Sequence, residues 1–196
     1  MNLARLMFGL FYRIGFTPWE GHTLPARLTA LVEGPAAAAP GRALDIGCGT
    51  GDTSIYLARH GWDVTAIDFV KQVLARTRAK AAAAGVSVRT MYADATKLAS
   101  YDLGGPFQLV VDNGCLHALS DEGRSAYVRD VTAMVPSGGR LIIAGFLEGK
   151  RRGPRGFNRE EIERRFSSWE LLSSGVDTDV SNDANDPIAV YELRRR

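Results

Sequence analysis

Two hydrophobic periodicities alternate along this chain, and the alternation predicts its fold class. Short apolar runs of strand length stand at residues 42–46, 63–68, 86–92, 107–112 and 139–146. Apolar positions at helical spacing lie between them, at residues 52–61, 70–85 and 122–135. Strands that alternate with helices of this length favour parallel pairing through right-handed crossovers. The pattern therefore predicts an α/β fold with a doubly wound, mostly parallel, Rossmann-like sheet.

The last third of the chain predicts closing elements of a different kind. Residues 158–166 predict a short helix, with Asn158 as the N-cap and Glu161 at the capping-box position. Residues 169–174 and 187–195 predict two strands joined by a polar stretch. We expect these strands to form an antiparallel C-terminal hairpin at the sheet edge, which completes a seven-stranded sheet.

The N-terminal segment, residues 1–34, predicts a helical lid before the α/β core of residues 42–196. Apolar residues recur in it at helical spacing, at Leu3, Leu6, Met7, Leu10, Phe11 and Ile14. A stretch rich in Pro, Ala and Gly, residues 32–41, links the two parts. We expect the lid to pack on the core, so that residues 1–196 form a single domain.

Charge and composition restrict the partners and the compartment. The formal net charge of +2 is too small to favour nucleic acid. No apolar run approaches the length of a membrane-spanning helix, and Arg5 and Arg13 interrupt the apolar start. Two cysteines without a CxxC pattern argue against a disulfide framework and against structural zinc. We expect a cytoplasmic protein, monomer or homodimer, without a metal, a membrane or a nucleic-acid partner.

A basic cluster at residues 150–155 has two interpretations. It is typical of a solvated loop. The alternative is that the loop attracts an anionic ligand, and the sequence leaves this open.

Three closely spaced glycines follow the first strand, at Gly47, Gly49 and Gly51. Glycine lets a strand turn sharply into a helix and lets a ligand approach the backbone closely. The spacing is G-x-G-x-G, which differs from the dinucleotide fingerprint and from the phosphate loop. Asp45 stands two residues before the first glycine, where it would repel a pyrophosphate but suits a positively charged ligand.

Acids stand at or just after the ends of four successive strands: Asp45, Asp68, Asp94 and Asp112. At the end of the second strand, an acid can accept hydrogen bonds from the two hydroxyls of a ribose. Asp94 can accept from an exocyclic amino group such as that of adenine. Each acid alone is equally well explained as a turn residue or a helix cap. Four in register beside a triple glycine favour a ligand site.

The segments "ALDIGCGTGDTSIYLARHGWDVTAIDF", "ADA" and "FQLVVDNGCLH" resemble the class I S-adenosylmethionine-dependent methyltransferases, over about residues 40–147. The resemblance implies S-adenosyl-L-methionine as cofactor and S-adenosyl-L-homocysteine as product. It also implies cofactor-binding roles, for Asp45, Gly47, Gly49 and Gly51 at the methionine part, Asp68 at the ribose, Phe69, Asp94 and Ala95 at adenine, and Asp112 and Asn113 near the sulfonium.

The stretch "GFTPWEGHTLPARLTALVEG", residues 15–34, is similar to the thiopurine, thiol and halide methyltransferases and to small methyltransferases linked to tellurite resistance. In that group the segment folds over the cofactor, which implies that Tyr12 and Trp19 face the methionine part. Gly21 follows Glu20 directly here, which departs from the spacing of the group. The alternative for Trp19 is a hydrophobic anchor of the linker.

After the fourth strand, Cys115 and His117 stand where cofactor and acceptor are expected to meet. Methyl transfer is a direct displacement that depends on positioning, so we expect Cys115 to be a small buried hydrophobe. One cysteine and one histidine are too few ligands for a metal. His117 is a candidate general base or orienting group, beside Asn113. The alternative is a histidine hydrogen-bonded inside the loop.

These observations predict methyl transfer to a small molecule, by O-, S- or N-methylation. No Asn/Asp-Pro-Pro-Tyr/Phe follows the fourth strand, which disfavours nucleobases and glutamine as acceptors. Phenylalanines near the expected pocket favour an aromatic, heterocyclic or thiol acceptor: Phe8, Phe11, Phe146 and Phe157. A non-catalytic S-adenosylmethionine-binding protein remains the alternative. The glycine spacing and the lack of a Tyr-x-x-x-Lys pair disfavour a nicotinamide-dependent reductase.

Overall fold

The computed structural model describes residues 3–14, 17, 21, 23–149, 154–177 and 188–196. Its helices are α1 (Leu3–Ile14), α2 (Ala26–Glu33), α3 (Asp52–Arg59), α4 (Lys71–Ala83), α5 (Asp121–Met134) and α6 (Arg159–Arg165). Its strands are β1 (Arg42–Ile46), β2 (Asp63–Asp68), β3 (Arg89–Tyr92), β4 (Leu109–Asn113), β5 (Arg140–Phe146), β6 (Trp169–Asp177) and β7 (Ile188–Arg195).

The seven strands form one sheet in the order β3-β2-β1-β4-β5-β7-β6. Strands β1 to β5 pair in parallel, and β7 runs antiparallel to both β5 and β6. This confirms the predicted doubly wound sheet with its antiparallel C-terminal hairpin. The strand order reverses between β1 and β4, and ligands of open α/β sheets bind beyond the carboxyl ends of strands at such a point.

Both faces of the sheet are covered, which explains the continuous apolar runs in its central strands. Along β5, Leu141 and Ile143 belong to one buried cluster, whereas Ile142 and Ala144 belong to another on the opposite face. Tyr127 of α5 packs in the first cluster, and residues of α2 and α3 pack in the second. Helices on both faces leave the strand ends as the open edge.

Helix α6 shows one confirmed prediction and one wrong one. The Asn158 side chain accepts a hydrogen bond from the Glu161 N–H at 2.8 Å, so Asn158 is the N-cap. The Glu161 carboxylate does not complete the capping box. It turns inward to Arg124 and Arg165, because the buried Arg124 guanidinium requires a counter-charge.

Helix α1 lies against the core. Tyr12 is only 4% exposed and belongs to a small apolar cluster with Cys48, Val73 and Leu74. The Arg76 guanidinium donates to the Tyr12 carbonyl at 3.3 Å, which satisfies one of the carbonyls left open at a helix C-terminus. Within the part of the chain described, no helix combines the length and apolar character needed to cross a membrane.

Candidate functional site

The loop between β1 and α3 is shaped by its glycines. Gly47, Gly49 and Gly51 have φ values of 72°, 52° and 90°, a region that side chains rarely adopt. A Cβ atom added to Gly51 would overlap the Thr77 side chain of α4. The loop therefore turns tightly enough for its backbone, rather than its side chains, to face the carboxyl edge of the sheet.

Asp68 joins the end of β2 to this loop. Its carboxylate accepts hydrogen bonds from the N–H groups of Gly49 at 3.2 Å and Val70 at 2.7 Å. Burial raises the pKa of Asp68 to about 6, although these backbone donors oppose the rise. Asp68 thus lies beside the glycine loop, and its contact with a ribose stays a prediction.

Asp45 is 2% exposed beneath the same loop, where its carboxylate accepts a hydrogen bond from the Ser54 hydroxyl at 2.5 Å. Burial raises the pKa of Asp45 to about 7. The Ser54 hydrogen bond opposes this rise, and the negative charges of Asp112 and Asp68 add to it. A cation bound near this carboxylate would favour its ionised form.

Asp112 shapes the loop after β4. It is fully buried, and its carboxylate accepts hydrogen bonds from the N–H groups of Cys115 at 2.7 Å and Leu116 at 3.0 Å. Burial raises its pKa to about 6. Its side chain therefore faces the protein interior, and the exposed side chain of the next residue, Asn113, is the one at the carboxyl edge.

The adenine side of the predicted site lies beyond β2 and β3. The Asp94 carboxylate accepts hydrogen bonds from the Thr96 N–H at 3.0 Å and its hydroxyl at 2.7 Å, which stabilises a turn. Ala95 is buried, and Phe69 is half-buried against a small apolar cluster. Asp68 pairs with Tyr92 in register, so the two strand ends are level.

Tyr12 reaches the glycine loop from α1. A Cβ atom added to Gly49 would lie 3.2 Å from the Tyr12 hydroxyl, which places this side chain beside the predicted methionine position. Trp19 lies outside the described residues, as does the side chain of Phe8. Their predicted places at the site stay predictions.

His117 is 9% exposed and bonds outside its own loop. Its Nδ1 accepts a hydrogen bond from the Phe146 N–H at 3.0 Å, and its ring stacks on Phe146 at 4.9 Å between centroids. A Cβ atom on Gly145 would lie 3.0 Å from the ring, so glycine at this position makes room for it. The described bonds thus hold the ring at the end of β5, a contact that none of the predicted alternatives included, and its role as a base or an orienting group stays a prediction.

Cys115 has the environment of an inert thiol. Burial raises the pKa of Cys115 well above its ordinary value, and the negative charge of Asp112 raises it further. A neutral thiol is a poor nucleophile, and the Cys115 side chain packs against the hydrophobic core. It is half-buried there, and not fully buried as the sequence predicts. Within the described ranges, no three His, Cys, Asp or Glu side chains group to hold a metal ion.

Arg124 of α5 is a buried residue of this region that the sequence interpretation missed. Its guanidinium is fully buried and donates to both carboxylate oxygens of Glu161 at 3.0 Å. It also donates to the carbonyls of His117 at 2.7 Å, Gly156 at 2.8 Å and Leu119 at 3.1 Å. One side chain thus joins the loop after β4 to the segment before α6.

Helical spacing would have identified Arg124. It stands three and seven residues before the buried Tyr127 and Val131, so it occupies the inward face of α5. A charged residue on an inward helix face requires a partner of opposite charge.

The described end of the basic loop is engaged within the protein. Arg155 forms ion pairs with Glu161 at 2.9 Å, Asp121 at 3.0 Å and Glu148 at 3.7 Å. Its charge is therefore balanced by acids of the chain. Residues 150–153 of the same cluster lie outside the described residues, so the anionic-ligand interpretation stays a prediction for them.

The open parallel sheet, the glycine loop and the acids at the switch point form an arrangement typical of domains that bind nucleoside-containing cofactors. Comparison with known proteins agrees. A family model described as a methyltransferase domain matches residues 43–139, about half of the chain. The chain belongs to the class I S-adenosylmethionine-dependent methyltransferase family.

Two curated relatives show how far the similarity extends. The ribosomal RNA small subunit methyltransferase C of Alcanivorax borkumensis is 29% identical over 123 residues, which are 61% of this chain and 37% of that protein. The 2-heptyl-1-hydroxyquinolin-4(1H)-one methyltransferase of Mycobacteroides abscessus is 28% identical over 131 residues, 66% of this chain and 56% of that protein. The chain thus spans about half or less of the length of these relatives.

A solved structure shares the fold over nearly the whole chain. The 1,6-didemethyltoxoflavin-N1-methyltransferase of Burkholderia thailandensis, with bound 1,6-didemethyltoxoflavin and S-adenosylhomocysteine, superposes with a TM-score of 0.79. It is 23% identical, and the match covers 98% of this chain and 87% of that one. At this identity the comparison establishes the fold.

Replacing Glu161 tests the buried ion cluster around Arg124. Glu161→Gln should lower the free energy of unfolding at pH 7 by about 3 kcal/mol, because it leaves a buried guanidinium without its counter-charge. The control is Glu163→Gln on the same helix, whose ion pair with Arg159 at 2.9 Å is exposed and should contribute less than about 1 kcal/mol. Chemical denaturation of both variants measures the difference.

The loss of unfolding free energy in Glu161→Gln should depend on pH. Burial raises the pKa of Glu161, but hydrogen bonds from Arg165, Arg124 and Arg155 outweigh it and lower the value to about 2. Because the folded pKa lies below the ordinary value of 4.5, the stabilisation is present above that value and is lost as the pH falls toward 2. Equal losses in the two variants, or a Glu161→Gln loss that does not shrink between pH 7 and pH 3, would contradict this account.

Proposed function

We propose that this chain transfers a methyl group from S-adenosyl-L-methionine to a small-molecule acceptor. The observation that carries the proposal is the pair of buried carboxylates around the glycine loop. Asp68 accepts a hydrogen bond from the Gly49 N–H of this loop, beside which we propose the ribose, and Asp45, with a pKa raised to about 7, is buried near the same loop, where we propose the methionine part. A cationic nucleoside cofactor suits both carboxylates, because its ribose can bind to Asp68 and its positive charge can lie near Asp45.

When bound, the cofactor supplies a methyl group on a positively charged sulfur. The contribution of the chain is binding and orientation. The backbone of Gly47, Gly49 and Gly51 supports the methionine part, while Phe69, Asp94 and Ala95 border the adenine. Asn113 is the last residue of β4, and we propose that it lies close to the sulfonium. Positioning of this kind can supply most of the rate enhancement of a displacement reaction.

The acceptor half of the site supports an aromatic, heterocyclic or thiol acceptor. His117 and Phe146 form a stacked pair beyond β4 and β5, and Phe157 packs beneath Gly145. The Mycobacteroides abscessus relative is, by its name, a methyltransferase of a heterocyclic acceptor. With two free cysteines and a net charge of +2, we propose a cytoplasmic enzyme, monomer or homodimer, that acts on small molecules rather than nucleic acid.

A second candidate is a non-catalytic protein that binds the same cofactor on the same fold. The cofactor half of the site would serve both functions equally. Turnover separates them: production of S-adenosyl-L-homocysteine with a panel of thiols, phenols and heterocycles supports the enzyme, whereas binding without turnover across the panel supports the second candidate.

Replacing Asp68 tests the cofactor site directly. Asp68→Ala should weaken S-adenosyl-L-homocysteine binding by about 1–3 kcal/mol, since the ribose hydroxyls lose a charged acceptor. Asp63→Ala, an exposed residue at the start of β2, is the control and should bind normally. Isothermal calorimetry measures both, with the free energy of unfolding recorded for each variant. Unchanged affinity in Asp68→Ala would place the ribose elsewhere.

We also propose that residues 1–34 act as a lid on the core of residues 42–196 within one domain. The contact of Tyr12 with the glycine loop supports this arrangement, because cofactor bound there would lie directly beneath α1.

Tryptic cleavage after the exposed Arg13 tests the lid. Saturating S-adenosyl-L-homocysteine should slow this cleavage, because bound cofactor stabilises the closed position of α1. The protection should be lost in Tyr12→Ala, assayed at cofactor concentrations that saturate the variant. Cleavage after Arg129 on α5 controls for general stabilisation. Equal protection at both sites would contradict a lid.

A further inference from the structure

The hydrogen bond to His117 determines where its ring carries a proton. A backbone N–H can only donate, so Nδ1, which receives the Phe146 N–H at 3.0 Å, must present a lone pair. The neutral ring then carries its hydrogen on Nε2. A second proton on Nδ1 would place two hydrogens in one hydrogen bond. The ring in this position is a donor at Nε2 and cannot accept a proton at Nδ1.

The described surroundings of His117 hold the ring in this orientation. Phe146 stacks against it at an interplanar angle of 10°, and the absence of a side chain on Gly145 lets it lie flat over β5. The His117 carbonyl accepts from Arg124 at 2.7 Å, which fixes the backbone beneath the ring. Flipping the ring to present Nδ1 to the site would give up the Phe146 hydrogen bond.

The donor edge of the ring lies at the carboxyl end of β4. A Cβ atom on Gly114 would lie 3.8 Å from both Cε1 and Nε2, so this edge faces the start of the loop where cofactor and acceptor are proposed to meet. The same loop touches the glycine loop, because a Cβ atom on Gly47 would lie 3.1 Å from the Cys115 Cβ. His117 is therefore at the acceptor side of the cofactor.

We propose that His117 donates a hydrogen bond from Nε2 to an acceptor atom that arrives without a proton. This inference rests on the proposed function and names the substrate class: thiolates, phenolates and other acidic hydroxyl or thiol compounds ionised in solution, whose reacting atom has one lone pair for the hydrogen bond and another for the methyl carbon. It replaces the general base among the two predicted roles of His117.

The reaction balances without a base. A lone pair of the acceptor forms a bond to the methyl carbon while the carbon–sulfur bond breaks, and its electrons remain on sulfur as a neutral thioether. The anionic acceptor becomes neutral. No proton leaves the acceptor in the enzyme, and the hydrogen of Nε2 stays on the ring.

The ionisable groups around His117 are engaged with other partners. The Asp112 carboxylate accepts from backbone N–H groups of the loop, and the Arg124 guanidinium is paired with Glu161. The Cys115 thiol is neutral, because burial and Asp112 raise its pKa. None of these three side chains is arranged to receive a proton from His117 on behalf of an acceptor.

Two substitutions distinguish the roles of the two ring nitrogens. Gln places an amide N–H close to the position of Nε2, whereas Asn places a carbonyl oxygen close to the position of Nδ1. His117→Gln therefore keeps the donor, and His117→Asn keeps the acceptor for Phe146. The control is His60→Gln at the end of α3, where the imidazole pairs with Glu33.

The measurement is kcat/KM against pH at saturating cofactor, for phenols or thiols of graded acidity. We expect the midpoint of each profile to follow the acidity of the acceptor in wild type and in both variants. His117→Asn should lose about tenfold or more, as expected for a lost hydrogen bond to a charged group, and His117→Gln clearly less. His60→Gln should match wild type.

Two results would overturn the inference. The first is a midpoint that stays fixed across the acceptor series and disappears in both variants, which indicates a general base. The second is a His117→Asn variant as active as His117→Gln or more so, which indicates that only the Phe146 contact matters. A chain that neither binds S-adenosyl-L-homocysteine nor turns over any acceptor would instead refute the proposed function.

Discussion

The burial of three aspartates at the ends of adjacent strands is the constraint on which the rest of this structure depends. Three neighbouring strands of the buried sheet carry an aspartate at or next to the carboxyl end: Asp45, Asp68 and Asp112. Burial raises the pKa of each. Like charges in a poorly solvated region disfavour the folded state unless donors or cations surround them. Ser54 and the backbone of the two adjoining loops supply hydrogen-bond donors. A cationic ligand would supply the positive charge that balances the carboxylates.

This constraint also explains the form of the loops. Asp68 holds the glycine loop through the Gly49 N–H, and Asp112 holds the loop after β4 through the N–H groups of two residues. Each carboxylate thus holds, by accepting hydrogen bonds, the backbone that borders the site. On the proposed acceptor side, the positively charged Arg124 holds the backbone in the same way. Its guanidinium donates hydrogen bonds to three backbone carbonyls and one carboxylate.

The sequence predicts the features that depend on local pattern. Strands β1 and β2 have the predicted bounds, and the hairpin of β6 and β7 lies where the polar connection indicated. Strand β3 begins three residues later than predicted, at Arg89, because pairing with β2 rather than apolar composition decides where it starts. The glycines and the strand-end acids can be identified from the sequence because they directly follow the predicted strands.

Features that depend on tertiary contacts could not be predicted in the same way. The N-cap role of Asn158 is local, but the inward turn of Glu161 follows from Arg124, a residue 37 positions away. The proton position on His117 follows from Phe146, 29 positions away. The sequence places Asp112 near the site, and only the fold reveals that its side chain faces inward.

The central claim is that the buried carboxylates recognise positive charge on the cofactor. The dependence of affinity on pH tests it, by calorimetry between pH 5.5 and 8 with S-adenosyl-L-methionine and with its uncharged-sulfur product, S-adenosyl-L-homocysteine. The pKa of Asp45 is raised to about 7, so the ionised form that a cation prefers is depleted below that pH. Both ligands carry the ammonium of the methionine part, so the affinity for each should rise through pH 6 to 7 in wild type, and Asp45→Asn should remove the rise. A rise that Asp45→Asn leaves unchanged, or affinities in wild type that do not rise through pH 6 to 7, would contradict the account.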